Sequence, residues 1–198
     1  MDISKLSDLG GLDGADNTPG LLGYVLFAPE TWFETIAKAP KYSAAAAPGT
    51  SAIIAASHTF KPGLGFLRIY ITLDSNQLKA DMVGERDGRG LKFNFEGFHP
   101  GSKPESMEFL NIVKNIGGIM LVPDADGTLI QVGAEGLPCE LAPSWDSAKL
   151  SSGRRGFTVK GDCYAVGIKI YTGAVVEKSK IGAPAPVVTT PEPAGDGS

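Results

Sequence analysis

The sequence predicts a mainly β fold: an antiparallel β-sandwich or barrel with one flanking α-helix over about residues 104–116. Three observations point there. Gly (26) and Pro (14) are abundant among the 198 residues, which favours many turns and short strands over long helices. Between residues 66 and 96 apolar and polar residues alternate, the period of strands with one buried face. One stretch alone, carrying Phe109, Ile112, Val113 and Ile116, shows clear helical spacing.

Taken in order, residues 1–20 are rich in Gly, Asp and Asn and read as an N-terminal arm without a core of its own. Residues 21–28 form the first strand, Leu21-Leu22-Gly23-Tyr24-Val25-Leu26-Phe27-Ala28. Pro29 then opens a short helix over 30–38, with Trp32, Phe33 and Ile36 on one side and Pro40 closing it. In residues 66–73 the positions Leu67, Ile69, Ile71 and Leu73 are apolar, and Asp74-Ser75-Asn76-Gln77 supplies hairpin chemistry. The return strand sets Leu78, Ala80 and Met82 against Gln77, Lys79 and Asp81. After a second loop, Leu91, Phe93 and Phe95 oppose Lys92, Asn94 and Glu96, which predicts a three-stranded antiparallel meander with one oily and one polar face.

The helix follows, with Ser102 as its predicted N-cap, Pro104 and Glu105 in the first turn and Gly117-Gly118 as its stop. Further strands are expected over 119–122, 128–132 and 137–141, and a last hairpin turns at Gly161-Asp162 with Val166, Ile168 and Ile170 on its apolar face. The compact domain therefore spans 21–176. Residues 177–198 are a charged, then Pro/Ala/Thr-rich tail, expected to be extended or mobile.

Composition narrows function. The net charge is -4 and no basic stripe occurs, which argues against tight nucleic-acid binding. The first residues lack an apolar leader, and no apolar run approaches the roughly 20 residues that span a bilayer, so no membrane role is expected. Cys139 and Cys163 read as reduced thiols, able to pair only if their strands are neighbours. His58 and His99 stand at no metal-ligand spacing, and no nucleophile–base set or phosphate loop can be nominated. No cofactor and no catalysis are expected.

Weak motifs take plainer readings. Gly63-Leu64-Gly65-Phe66 before a strand is like the carboxylate-binding loop of PDZ domains, but a Pro-Gly turn explains it. Asp124-Ala125-Asp126-Gly127 with Glu135 resembles a calcium loop, but the sixth position is Leu129 rather than Gly, so a turn is favoured. Residues 42–57 are uncharged and carry Ile53 and Ile54. They read equally as a sticky edge segment and as a core strand with a long lead-in.

The order of features resembles the major tail (tail-tube) proteins of long-tailed bacteriophages over about residues 21–176. It rests on Tyr24-Val25-Leu26-Phe27-Ala28-Pro29, Phe60-Lys61-Pro62-Gly63, Val83-Gly84-Glu85-Arg86-Asp87-Gly88, His99-Pro100-Gly101 before the single helix, Leu121-Val122-Pro123-Asp124-Ala125-Asp126-Gly127, Pro138-Cys139-Glu140-Leu141 and Gly153-Arg154-Arg155-Gly156-Phe157. The resemblance implies a virion protein made in the host bacterial cytoplasm. Its copies form rings, six to a ring, that stack into a tube with other tail proteins, and DNA passes through without specific binding. It supplies no catalytic residues.

On that reading Tyr42, Ala45, Pro48, Ile53 and Ile54 are candidate inter-subunit contacts, and Lys79, Asp81, Lys92, Asn94 and Glu96 candidate lumen-facing residues. The alternatives are another virion ring or decoration protein (neck, tail terminator or capsid decoration) and a carbohydrate- or peptide-binding β-sandwich. The latter would use Trp32, Trp145 and Tyr164 as platform residues.

Overall fold

Strands β1 (Tyr24–Pro29) and β8 (Gly117–Pro123) form the spine of the molecule, and nearly every residue of both is buried. We describe residues 8–11, 14 and 16–180 of a computed structural model. Both strands read as unbroken apolar runs because both of their faces are covered. Val25, Phe27, Met120 and Val122 point into one core, while Leu26, Ala28, Ile119 and Leu121 point into another.

The other strands are β2 (Phe33–Thr35), β3 (Ile53–Ile54), β4 (Thr59–Phe60), β5 (Leu67–Tyr70), β6 (Gln77–Val83), β7 (Gly90–Pro100), β9 (Leu129–Val132), β10 (Cys139–Asp146), β11 (Gly156–Ala165) and β12 (Lys169–Tyr171). The helix α1 (Pro104–Val113) follows β7. The main sheet runs β3-β12-β9-β8-β10-β11-β7-β6, with β1 between β5 and β8. All its pairings are antiparallel except β12–β3. The first core lies inside β1, β5, β7, β8, β10 and β11, with Leu110 and Val113 of α1 packed into it. A mainly β architecture with one flanking helix is thus what the chain adopts.

Several expected elements differ. The three-stranded meander reduces to the β6–β7 hairpin, because β5 pairs with β1 instead of β6 (Tyr24 opposite Tyr70). The apolar β1 needs a neighbour on each edge, and β5 and β8 fill the two positions. The expected helix over 30–38 is a 3-10 turn, Glu30–Trp32, followed by β2. Phe33 there packs on Phe60 of β4, with ring centroids 4.4 Å apart.

The last hairpin does not form: β11 runs straight through Gly161-Asp162 against β7 and β10. Gly161 points inward, where a Cβ would meet Cys139 Sγ, Met120 and Leu141 at 3.2–3.3 Å. Crowding, not a turn, explains this glycine. Val166 and Ile168 lie exposed, and only Ile170 of that expected apolar face enters a strand. In α1, which ends at Val113, Ile112 is also exposed. The N-cap is Lys103, and the Ser102 hydroxyl instead accepts a hydrogen bond from the Trp145 indole N–H (2.8 Å).

Candidate functional site

The alternation of β6 and β7 places Lys79, Asp81, Lys92, Asn94 and Glu96 on one face of the sheet. The register sets Lys79 opposite Asn94, Asp81 opposite Lys92 and Gln77 opposite Glu96. The uninterrupted β11 extends this face with Lys160, Asp162 and Tyr164, and β10 adds Glu140. Opposite charges meet at Asp81–Lys92 and Glu96–Lys160, whereas Glu140 and Asp162 stand opposite each other with the same sign. Lys160 lies 3.5 Å from Glu96, and Lys92 lies 3.4 Å from Asp162. Lys79, Lys92 and Lys160 are set against Asp81, Glu96, Asp162 and Glu140, so the face is slightly acidic and largely self-compensated. Its outer border is β6, seven residues long, which pairs only with β7 among the described residues.

Residues 42–57 divide. Ile54 is buried in the second core beside Tyr171, and Ala45 is also buried. Ile53 is half-buried opposite Ile170, at the other border of the sheet. Pro48 is exposed, and Tyr42 is half-buried with its hydroxyl enclosed and lacking a hydrogen-bond partner among the described residues. Both readings of this segment therefore hold locally: a core residue, Ile54, sits in a two-residue edge strand. Of the five candidate contact residues, Pro48 and parts of Tyr42 and Ile53 remain at the surface.

His58 is a functional-looking residue whose surroundings only the fold reveals. It is buried, and its ring stacks on Tyr171 with centroids 4.5 Å apart. Nδ1 accepts from the Ala37 N–H (3.0 Å), so the proton sits on Nε2 and is donated to Gln131 Oε1 (3.1 Å). Gln131 Nε2 in turn donates to the Gly133 carbonyl. The His58 N–H donates to the Tyr171 hydroxyl, which donates to the Ala174 carbonyl (2.8 Å). Burial lowers the His58 pKa, partly opposed by the bond to Gln131. Every polar atom of the ring has a partner, so the histidine is a clasp between three segments. His99 Nδ1 donates to the Tyr70 carbonyl (2.9 Å), and Nε2 pairs with the Ser106 hydroxyl of α1 (3.1 Å).

The weak motifs resolve as turns. Asp126 Oδ1 accepts from the Thr128 N–H, and Gly127 takes a positive φ of 90°. Glu135 instead pairs with Lys38. The described residues include no group of three or more His, Cys, Asp or Glu placed to hold a metal ion. Cys139 and Cys163 lie on neighbouring strands, one step beyond the Glu140–Asp162 pair, and both are free, buried thiols. Burial raises the pKa of both thiols. No described helix is long and apolar enough to cross a membrane.

Trp145 lies opposite Phe157, whereas Tyr164 lies opposite Lys92, seven residues further along β11. At ~3.3 Å per residue they stand roughly 20 Å apart, too far for one sugar-stacking platform. Trp32 sits elsewhere, beneath the Lys178 ammonium at 4.6 Å.

A groove separates β5 from α1. Its cavity, about 420 Å³, is lined chiefly by apolar side chains, among them Phe66, Ile69, Phe109, Leu110 and Val159. Gly63-Leu64-Gly65-Phe66 leads into β5, but its amides do not await a carboxylate. The Phe66 N–H donates to the Val176 carbonyl (2.8 Å), and a Cβ on Gly65 would lie 2.6 Å from that same oxygen. Against this geometry, no protein-family model, curated protein or solved structure matches the chain.

Proposed function

We propose that the chain is a structural subunit of a bacteriophage tail tube, self-assembling into stacked hexameric rings whose channel passes DNA. The observation that carries this reading is the seven-residue edge strand β6 bordering a broad four-stranded polar face. A long edge is a template for strand pairing with another copy, and a closed ring of such sheets leaves no edge exposed. The five residues Lys79, Asp81, Lys92, Asn94 and Glu96 would then face the channel together with Lys160, Asp162 and Glu140. Paired charges with a slight acidic excess neither grip nor strongly repel a polyanion. Ile53, at the opposite border, and Pro48 and Tyr42 from the segment leading into it, are suited to contacts between copies. Neck, terminator or decoration rings would use the same edge without stacking.

Negative-stain electron microscopy of the purified chain, with sedimentation velocity at low and high salt, tests the proposal. Rings or tubes with a central pore are expected. A strict monomer at high concentration under all salt conditions refutes it, and rings that never stack favour a neck or terminator role.

A further inference from the structure

The outer border of β6 carries enough to name its partner. Main-chain groups alternate sides along a strand. The Gly101 N–H donates to the Arg155 carbonyl (3.0 Å), one step beyond the Pro100–Gly156 pair, so the odd-numbered residues of β7 bond to β11. The even-numbered ones face β6, and the Phe98 carbonyl on that side accepts the Thr72 N–H (2.8 Å). Lys79 opposite Asn94 and Asp81 opposite Lys92 are therefore hydrogen-bonded pairs of the β6–β7 ladder. The N–H and C=O groups of Leu78, Ala80 and Met82 point the other way, off the sheet, with no partner strand among the described residues. Aligned main-chain groups on a seven-residue border are a template for another strand.

The side chains of this strand are complementary to its own reversed copy. Two such strands bond through their outward groups only in registers that set even residues opposite even residues. Antiparallel pairing centred on Ala80 does this along the whole strand: Leu78 lies opposite Met82, Lys79 opposite Asp81, and Ala80 opposite itself. Centring on Lys79 or Asp81 instead sets two ammonium or two carboxylate groups face to face, and parallel in-register pairing does both. Centres nearer the strand ends shorten the overlap. In the Ala80 register the exposed Lys79 of each copy meets the exposed Asp81 of the other, at non-hydrogen-bonded positions where side chains come closest. On the opposite face Met82, 67% exposed in the single chain, covers Leu78 of the other copy.

We infer that β6 pairs antiparallel with β6 of a second copy about a two-fold axis at Ala80, with Lys79 and Asp81 bridging reciprocally. The inference rests on the reading of β6 as the assembling edge and adds the partner strand, its direction and its register. The axis stands perpendicular to the sheet, so the polar faces of the two copies join side by side into one continuous face. A ring of six is then three such pairs joined at their opposite borders.

Sedimentation velocity over a range of protein concentrations at low salt tests this with two exposed single substitutions, Lys79→Glu and Asp81→Lys, each checked for native folding by circular dichroism. Either one alone sets like charges face to face on both sides of the axis and is expected to weaken the pair roughly tenfold or more. Mixed in equal amounts, the two variants should associate as tightly as wild type. The new carboxylate at position 79 then meets the new ammonium at position 81, while the native Asp81 meets the native Lys79. A merely local effect of either substitution does not produce that recovery. Association that neither substitution weakens, or that mixing does not restore, overturns the inference and leaves the tube reading standing. A chain that is monomeric at every concentration overturns both. Pairs that obey the charge pattern but never close into rings uphold the inference and overturn the tube.

Discussion

Replacing His58 with alanine should destabilise the fold severely, although the residue touches neither border of the sheet. The side chain makes two buried hydrogen bonds, at 3.0 Å with the Ala37 N–H and 3.1 Å with Gln131 Oε1. Removing it strands a buried donor and a buried acceptor, at about 1–3 kcal/mol each. The stack on Tyr171 contributes about 0.5–1.5 kcal/mol more. A total loss of about 2.5–7.5 kcal/mol is expected from urea unfolding followed by circular dichroism near pH 8.

The same clasp makes stability pH-dependent. Burial disfavours the charged ring, so the folded pKa is depressed below the unfolded value of about 6.5, and a proton on Nδ1 would also meet the Ala37 N–H. Above that value both states are neutral and the site is at full strength. As pH falls below it, the unfolded chain takes up a proton that the folded chain resists, and stability declines until the folded pKa is reached. Stability at pH 5.5 is therefore lower than at pH 8. Wild type should lose more stability between pH 8 and 5.5 than His58→Asn. Equal pH slopes for the two proteins, or a His58→Ala cost below about 1 kcal/mol at pH 8, would refute the reasoning.

Two further substitutions test the packing. Gly118→Ala should cost about 1–3 kcal/mol in chemical denaturation, since its Cβ would run into the Ala28 carbonyl oxygen and lie 2.8 Å from Phe27 where β1, β8 and β10 meet. A neutral result would mean that the β1–β8 ladder yields to the added methyl group. Tyr42→Phe should raise the monomer's stability by up to about 1 kcal/mol, because it removes a buried hydroxyl that no described residue satisfies. A clear loss in the thermal midpoint would show that the hydroxyl has a partner after all.

Local pattern exposes which face a residue takes, but not which strand lies beside it. The polar set on β6 and β7 was legible because period-two alternation and a short loop tie those strands together within twenty residues. β1 and β8 were legible as strands because burial on both faces leaves an unbroken apolar run. The neighbour of β5 was not, since Tyr24 and Tyr70 lie far apart in the chain and nothing in the alternation of β5 specifies β1.

Gly161-Asp162 misled for a related reason. A glycine next to an aspartate has the chemistry of a turn, yet here the glycine is favoured by Cys139, Met120 and Leu141 crowding in from neighbouring strands. That misreading also hid the extension of the polar face, because Lys160 and Asp162 join Lys92 and Glu96 only if β11 continues through the glycine. The groove was harder still. Its walls are β5 and a helix that follows β7, so no window of sequence contains both, and Gly63-Leu64-Gly65-Phe66 marks only where one wall begins. The same nonlocality ties the polar face to the spine. It is continuous with β10 and β11, which among the described residues join β8 only through the pairs Cys139–Gly118 and Glu140–Gly117. A perturbation at Gly118 should therefore reach the polar face before it reaches the second core. Amide exchange along β11 should accelerate in Gly118→Ala at solution conditions where the Ile54 and Tyr171 amides remain protected.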